Sequence, residues 1–346
     1  MISLSVLDQS PIRKSGTAAD AVAETIDLAQ RTEALGYKRY WLAEHHNSNS
    51  FAGAAPEILI GAVAQATESI RVGSGGVMLP HYAPLKVAEQ FRMLETLHPG
   101  RIDLGLGRAP GTDQRTMRAL QPGPQAYGIE VFPQQVELLR QFLEDATGLE
   151  GEAGGFPADH PYRGIHASPQ GPGMPELWML GSGNEGAIYA AQMGLSYCFA
   201  HFINADAGTL PLDLYRRQFR PSHGLNSPRA SIGVSVTVAE TEEEAHRVSQ
   251  SRNLWVLWLL QGRPQAFPSI EEAENYPYTE QDLAMLEGIR RRGIVGTPEQ
   301  VRGHLLKMGE AYGVDEFVIL TITHDHVDRV RSYELLADAF ALAEAA

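Results

Sequence analysis

Short runs rich in β-branched and aromatic residues alternate along this chain with longer stretches of helical periodicity. The runs fall at residues 3–7, 39–43, 70–74, 102–106, 177–180, 197–201, 232–239 and 316–320. Helical patterns lie at 18–35, 56–67, 84–97, 131–146, 185–193, 212–219, 242–260, 298–311 and 326–343, so that nearly every run is followed by one. The pattern beginning at Pro84 carries proline where a first helical turn accepts it. Eight strand–helix units in series call for parallel strands joined by right-handed crossovers. The prediction is an α/β chain closed into a (β/α)8 TIM barrel. The rival is two doubly wound domains. No Ser/Pro/Gly-rich linker splits the middle of the chain, so one barrel domain over residues 1–346 is expected.

Three stretches exceed ordinary loop length: 44–55 after the second strand, 107–128 after the fourth, and 262–293 beyond the helix that follows the seventh. Loops after barrel strands gather at the C-terminal face, so insertions after strands 2, 4 and 7 converge on one mouth. The 262–293 segment is rich in acids and carries Pro264, Pro268 and Pro277. It is expected to be a mobile lid rather than core, with Phe267, Tyr276 and Tyr278 touching a ligand and part of 280–292 helical. A subunit contact is the alternative.

Composition narrows the function. Acids outnumber bases 42 to 28, a balance that repels nucleic-acid backbones. The single cysteine, Cys198, rules out an intrachain disulfide or a CxxC site. The longest strongly apolar run, 254–260, has seven residues, against the roughly 20 that span a bilayer. The N-terminal stretch has no charged start followed by a long apolar segment. A cytoplasmic chain without nucleic-acid or membrane partners is expected.

Local motifs add chemistry. Gly181-Ser182-Gly183-Asn184-Glu185-Gly186 follows the fifth strand and opens a helix. It satisfies GxGxxG, and Asp206 lies twenty residues on, where a ribose-binding acid would stand in a dinucleotide site. That fingerprint normally follows a first strand. Free N–H groups at a helix start indicate only that some phosphate is held, and a plain tight turn is the alternative. Gly73-Ser74-Gly75-Gly76 ends the third strand, where glycine marks a bulge or close backbone approach to a ligand. In Glu44-His45-His46, neighbouring residues on an extended segment alternate, so His45 should face the mouth and His46 turn away. A histidine near its ordinary pKa suits general acid/base work, and a structural histidine is the bland alternative. Arg108 leaves the fourth strand as a phosphate or carboxylate clamp, or as a surface ion pair. The paired Trp255 and Trp258 are read as core, and no HExxH or GxSxG is present. No metal site is expected.

From Trp41 to Arg108 these residues resemble the flavin-dependent bacterial luciferase-like monooxygenases, nearest the alkanal-monooxygenase-like bacterial members. The carrying stretches are Leu42-Ala43-Glu44-His45-His46, Val72-Gly73-Ser74-Gly75-Gly76-Val77-Met78-Leu79-Pro80, and the run from Leu97 through His98-Pro99-Gly100-Arg101 to Gly107-Arg108-Ala109-Pro110-Gly111-Thr112. The likeness continues over 181–195 and Val295-Gly296-Thr297-Pro298-Glu299. It implies a (β/α)8 barrel binding reduced FMN, with the deazaflavin F420 as the alternative cofactor. His45 matches the family's catalytic histidine. Gly75 and Gly76 match a non-prolyl cis peptide beneath the flavin, Arg108 a phosphate-binding arginine, and Ser182, Gly183 and Gly186 the phosphate turn. Asp8 is assigned to the cofactor side and as the next candidate for proton chemistry. The chain departs from the light-emitting enzymes at three places. Gly107 stands at their reactive cysteine, Gln135 at a second phosphate-side arginine, and glycine where their turn has hydroxyls. Light emission is not expected.

The resulting expectation is a two-component monooxygenase. A flavin reductase in trans supplies reduced FMN, O2 is the co-substrate, and an aldehyde or other small organic molecule is oxidised by a homodimer. F420-dependent hydride transfer, or a flavin-binding protein without turnover, are the alternatives on the same fold.

Overall fold

The computed structural model describes residues 2–109, 111–121, 129–148, 155–222 and 224–342. Among these, nine strands form one parallel sheet: β1 (Ser3–Asp8), β2 (Arg39–Leu42), β3 (Arg71–Met78), β4 (Ile102–Gly107), β5 (Glu176–Gly181), β6 (Ser196–Ala200), β7 (Ala230–Val238), β8 (Gly293–Gly296) and β9 (Glu316–Leu320). Eight of them close into a barrel in the order β1 to β7 and then β9, through the β6–β7, β7–β9 and β9–β1 pairings. The helices are α1 (Ala18–Ala34), α2 (Pro56–Ala66), α3 (Pro84–Leu97), α4 (Gln114–Leu120), α5 (Phe132–Ala146), α6 (Asn184–Gln192), α7 (Leu210–Gln218), α8 (Glu242–Leu260), α9 (Ile270–Glu274), α10 (Glu280–Arg291), α11 (Pro298–Tyr312) and α12 (His326–Phe340). The predicted (β/α)8 TIM barrel is the observed architecture. No described helix is long and apolar enough to cross a membrane.

Each barrel strand buries both faces, as parallel strands under helices must. The outer faces of β1, β2 and β4 carry Leu4, Val6, Tyr40, Leu42, Ile102 and Leu104, which join the larger apolar cluster with the helices. The inner faces build layers. At the N-terminal end lies an ion layer: Arg39 reaches Asp103 at 2.7 Å, Glu316 at 2.8 Å and Glu176 at 3.1 Å, and Arg71 reaches Asp103 at 2.6 Å. Burial opposes the Arg39 charge, but these three carboxylates outweigh it and hold the guanidinium firmly protonated. Above it Trp41 and Trp178 meet edge to face at 5.2 Å, with the Trp41 indole N–H donating to Asp103 at 2.9 Å. Next come Leu7, Cys198 and Val318, and there the interior opens.

Three sequence expectations need correction. The third strand does not stop at residue 74. It runs to Met78 through the glycine cluster, with a register shift between Gly75 and Val77. A ninth strand, β8, pairs with the C-terminal half of β7, where residues 293–296 had been read as loop and helix start. Four residues bounded by glycines are too few to carry a strand signature. The 262–293 segment is not unpacked: it holds α9 and α10, whose Ala273, Leu286 and Ile289 form a buried cluster with Leu254, Leu257 and Trp258 of α8. Thr279 and Asp282 cap α10 reciprocally, and Ser269 caps α9. Phe267 is fully buried, stacked on Trp255 at 4.7 Å, and its backbone exchanges hydrogen bonds with Ile12 and Lys14 beyond β1. Tyr276 and Tyr278 pack beside Trp258 rather than at a free tip. Of the long stretch after β4, Pro110 and residues 122–128 lie outside the described residues, as does Ala343 of the last helical pattern.

Candidate active site

Small residues on the inner ends of the strands leave a cavity of about 610 Å3 at the C-terminal end of the barrel. Its floor is Leu7, Trp41, Cys198 and Val318. Burial pushes the Cys198 thiol up to about 12, so it stays protonated and is no nucleophile at neutral pH. One wall is the Gly75–Gly76 peptide, which is cis. A Cβ on Gly75 would come within 2.7 Å of Leu7 Cδ1, and one on Gly76 within 2.7 Å of the Gly105 carbonyl oxygen. Backbone blocks a side chain at Gly76 and Leu7 crowds one at Gly75, so the backbone itself faces the cavity.

The opposite wall is the turn between β5 and α6. Gly183 caps α6 in extended backbone and offers no side-chain cap, so the first N–H groups of the helix have no side-chain acceptor there. Ser182, Gly183, Asn184, Glu185 and Gly186 all line the cavity. The turn is braced through its carbonyls: Asn204 Nδ2 donates to Ser182 O at 2.8 Å, and the Tyr197 hydroxyl donates to Gly181 O at 3.2 Å. A Cβ at Gly183 would meet nothing within 4 Å, so glycine there keeps room rather than avoiding a protein clash. Arg108, at the end of β4, lies on the same cavity and is ion-paired with Glu185 in the first turn of α6. Cation, uncapped N–H groups and open volume coincide, an arrangement suited to a phosphate.

A second cavity, of about 820 Å3, lies beside the first and shares Phe202 and Ile203 with it. His45 lines this second cavity, its ring stacked on Phe51 at 4.4 Å and its Nδ1 buried without a hydrogen-bond partner. Burial lowers its pKa to about 4; the Glu44 charge opposes that shift and His46 adds slightly to it. The sequence expectation of an ordinary pKa is therefore corrected: His45 is neutral at pH 7. The expected alternation fails as well. β2 ends at Leu42, and beyond it both His45 and His46 line the cavity. His46 is held by Glu44, with Nε2 2.7 Å from Oε1. Glu44, 1% exposed, also accepts from the Met78 N–H at 2.9 Å and the Tyr82 hydroxyl at 2.8 Å, tying the loop after β2 to the end of β3.

Six of the residues predicted for the site come together on the first cavity: Gly75, Gly76, Arg108, Ser182, Gly183 and Gly186. His45 stands on the adjoining one. Asp8 does not join them. It is fully buried against α12, bonded to Arg329 at 2.7 Å, to the Tyr40 hydroxyl at 2.6 Å and to the Ser10 N–H at 2.7 Å. Burial would raise its pKa, but these donors and the Arg329 charge hold it below the usual carboxylate range. Asp8 is a structural counter-ion to Arg329, buried away from both cavities. Gln135 stands away from the phosphate turn, donating to the carbonyls of Leu79 and Tyr82 at 3.4 and 3.3 Å. At Gly107 a Cβ would meet Met78 Sδ at 2.8 Å, so a cysteine there would require Met78 to move. Sequence reasoning missed Asn204, Tyr197 and the Arg108–Glu185 pair. No local motif marks residues that reach the turn from another strand.

Comparison with known proteins gives the family of the chain. A family model described as luciferase-like monooxygenase matches residues 2–316. The Bacillus subtilis protein YwcH is 44% identical, covering 99% of this chain and 100% of that protein. The N-acetyl-S-alkylcysteine monooxygenase of the same organism is 39% identical, covering 99% and 100%. Among solved structures, apo-MsnO8 is 38% identical with a TM-score of 0.89, covering 99% of both chains. More distant structures share the fold alone: the oxygenating constituent of 3,6-diketocamphane monooxygenase from Pseudomonas putida in complex with FMN (19% identical, TM-score 0.73, covering 99% and 98%), and an F420-dependent secondary alcohol dehydrogenase (16%, TM-score 0.69, covering 98% of both).

Proposed function

This chain belongs to the luciferase-like monooxygenase family, and on that premise we propose that it is the oxygenating component of a two-component flavin monooxygenase using reduced FMN and O2. The single observation that carries the reading is the first cavity: backbone at Gly75–Gly76 on one side, and Arg108 with an uncapped helix start on the other. A flat ring fits against the glycine pair because neither residue has a side chain there, and a phosphate fits the turn because Gly183 leaves its volume open. When bound, reduced flavin supplies the electrons that activate O2.

The chain's own residues do the rest. Trp41, Leu7 and Val318 close the floor and exclude water. Arg108 and the N–H groups of residues 183–186 orient the phosphate. Neutral His45 lines the second cavity, where its imidazole exchanges one hydrogen bond or proton with the reacting group. The substrate occupies that second cavity, with Phe202 and Ile203 between it and the ring. The 39% identity to an N-acetyl-S-alkylcysteine monooxygenase adds thioethers to aldehydes as candidate substrates.

We also propose that a separate reductase delivers the flavin in the cytoplasm. The chain pairs with a second copy through α2 and α3, whose Ile58, Met93 and Leu97 are 73, 50 and 62% exposed. The test is O2 uptake by purified chain with FMN, NADH and a general flavin reductase, against aldehydes and thioethers. Substrate-dependent product formation is expected; O2 uptake with no product from any of them contradicts the reading.

A further inference from the structure

Four arginines are buried among the described residues, and three are fully engaged. Arg39 faces three carboxylates, Arg92 donates to the carbonyls of Pro169 and Gly171 at 3.0 Å, and Arg329 is bonded to Asp8 and to Thr321 O. The fourth, Arg252, is 8% exposed and makes no hydrogen bond or ion pair with any described residue. Leaving a buried cation without a partner is costly, and among the described residues Arg252 is the one buried arginine left so.

Its position says what would compensate it. Arg252, Trp255, Val256 and Leu259 follow helical i, i+3, i+4, i+7 spacing along α8, and all four line the second cavity. Asp113 is the one carboxylate in that cavity's described wall. Its oxygens are occupied by the Arg115 and Thr116 N–H groups at 2.8 and 3.0 Å and the Thr116 hydroxyl at 2.7 Å. Burial lowers the Arg252 pKa only to about 10, so the group stays cationic at neutral pH. Trp255, Leu259, Leu260 and Ile289 give the wall its apolar part, and a second arginine, Arg292, lines the same cavity.

We infer that Arg252 is a substrate-binding residue that receives an anionic head group, and that the organic substrate is a small acid: a carboxylate on a largely apolar body. The guanidinium fork matches a carboxylate in two parallel hydrogen bonds. The inference rests on the reading of the second cavity as the substrate site. The same charge could instead meet a flavin phosphate, and the experiment separates the two.

The test measures binding of straight-chain carboxylates from butanoate to decanoate, each against its methyl ester, by calorimetry without flavin. The wild-type chain is expected to bind at least one acid ten times tighter than its ester. Arg252→Gln should abolish that preference and Arg252→Lys should keep part of it. FMN affinity should stay within twofold in both variants. With no ligand, Arg252→Gln should melt at or above the wild type, because it removes an uncompensated charge. No acid preference at any chain length, or a preference that survives in Arg252→Gln, overturns the inference. So does a tenfold loss of FMN affinity, which would give the arginine to the phosphate, or a melting temperature lower by more than ~5 °C, which would mean an internal partner. Failure of the wild type to bind FMN would contradict the proposed monooxygenase while leaving the acid preference to decide this point.

Discussion

Replacing Arg108 with alanine isolates the phosphate from the rest of the flavin. In the structure Arg108 is one-third exposed and already paired with Glu185, which is two-thirds exposed, so an arriving phosphate displaces or shares a partner rather than filling an empty cation. A charged hydrogen bond contributes about 1.5–3 kcal/mol, and partial exposure argues for the lower end, or roughly a tenfold loss of FMN affinity. Riboflavin has the same ring and no phosphate, so its affinity should hardly change. Glu185→Gln acts in the opposite direction. It removes the competing carboxylate and should tighten FMN by about 0.5–1 kcal/mol, less at high salt. Quenching of flavin fluorescence during titration measures all six combinations of wild type and the two variants with the two flavins. If Arg108→Ala leaves the ratio of FMN to riboflavin affinity unchanged, or Glu185→Gln weakens FMN, the phosphate does not sit at this turn.

Further substitutions separate site from scaffold. Gly183→Ala adds a methyl group to extended backbone with no protein atom near it, so melting should move by no more than ~2 °C while FMN binding weakens; normal FMN binding would remove the turn from the site. Asp8→Asn strips the counter-charge from buried Arg329 and should cost about 3–5 kcal/mol in denaturant unfolding without altering FMN affinity of the folded chain. Selective loss of flavin with unchanged stability would restore Asp8 to the cofactor. For His45, the folded pKa of about 4 lies below the ordinary 6.5, so the unfolded chain binds more protons between those values. Stability must then fall as pH drops from 6.5 to 4, and His45→Gln should lessen that fall by up to about 3 kcal/mol. Identical pH dependence in the two proteins would mean that His45 is not held neutral by burial.

The barrel was legible because its constraint is long-range and repeated. Eight apolar runs of strand length, each separated by a helical period, leave little choice of topology, and strands such as 316–320 were placed to the residue. The glycine cluster and the turn at Gly181, which line the first cavity, stood out because their glycines gather at the ends of strands. What escaped depends on contacts between distant segments. Asp8 reads as a strand-end acid near the mouth, and only the fold reveals Arg329 and Tyr40 closing on it. Its side chain falls on the outer face, alternating with inward Leu7. The 262–293 segment looks too polar to pack because its apolar residues are spaced for two short helices whose partner is α8. His45 reads as an ordinary histidine until Phe51 covers it. Arg252 sits within a helix with no motif, and that no described residue pairs with it is a property of the assembled cavity.

The most direct test of flavin-dependent oxygenation is an anaerobic titration of the purified chain with reduced FMN, and with reduced F420 in parallel. The loaded protein is then exposed to 18O2 and substrate, and the product is analysed by mass spectrometry. Flavin-dependent oxygenation requires one reduced FMN per chain, weaker F420 binding, and one atom of 18O in the oxidised product. Preferential binding of F420, or a product oxidised without 18O, would contradict it.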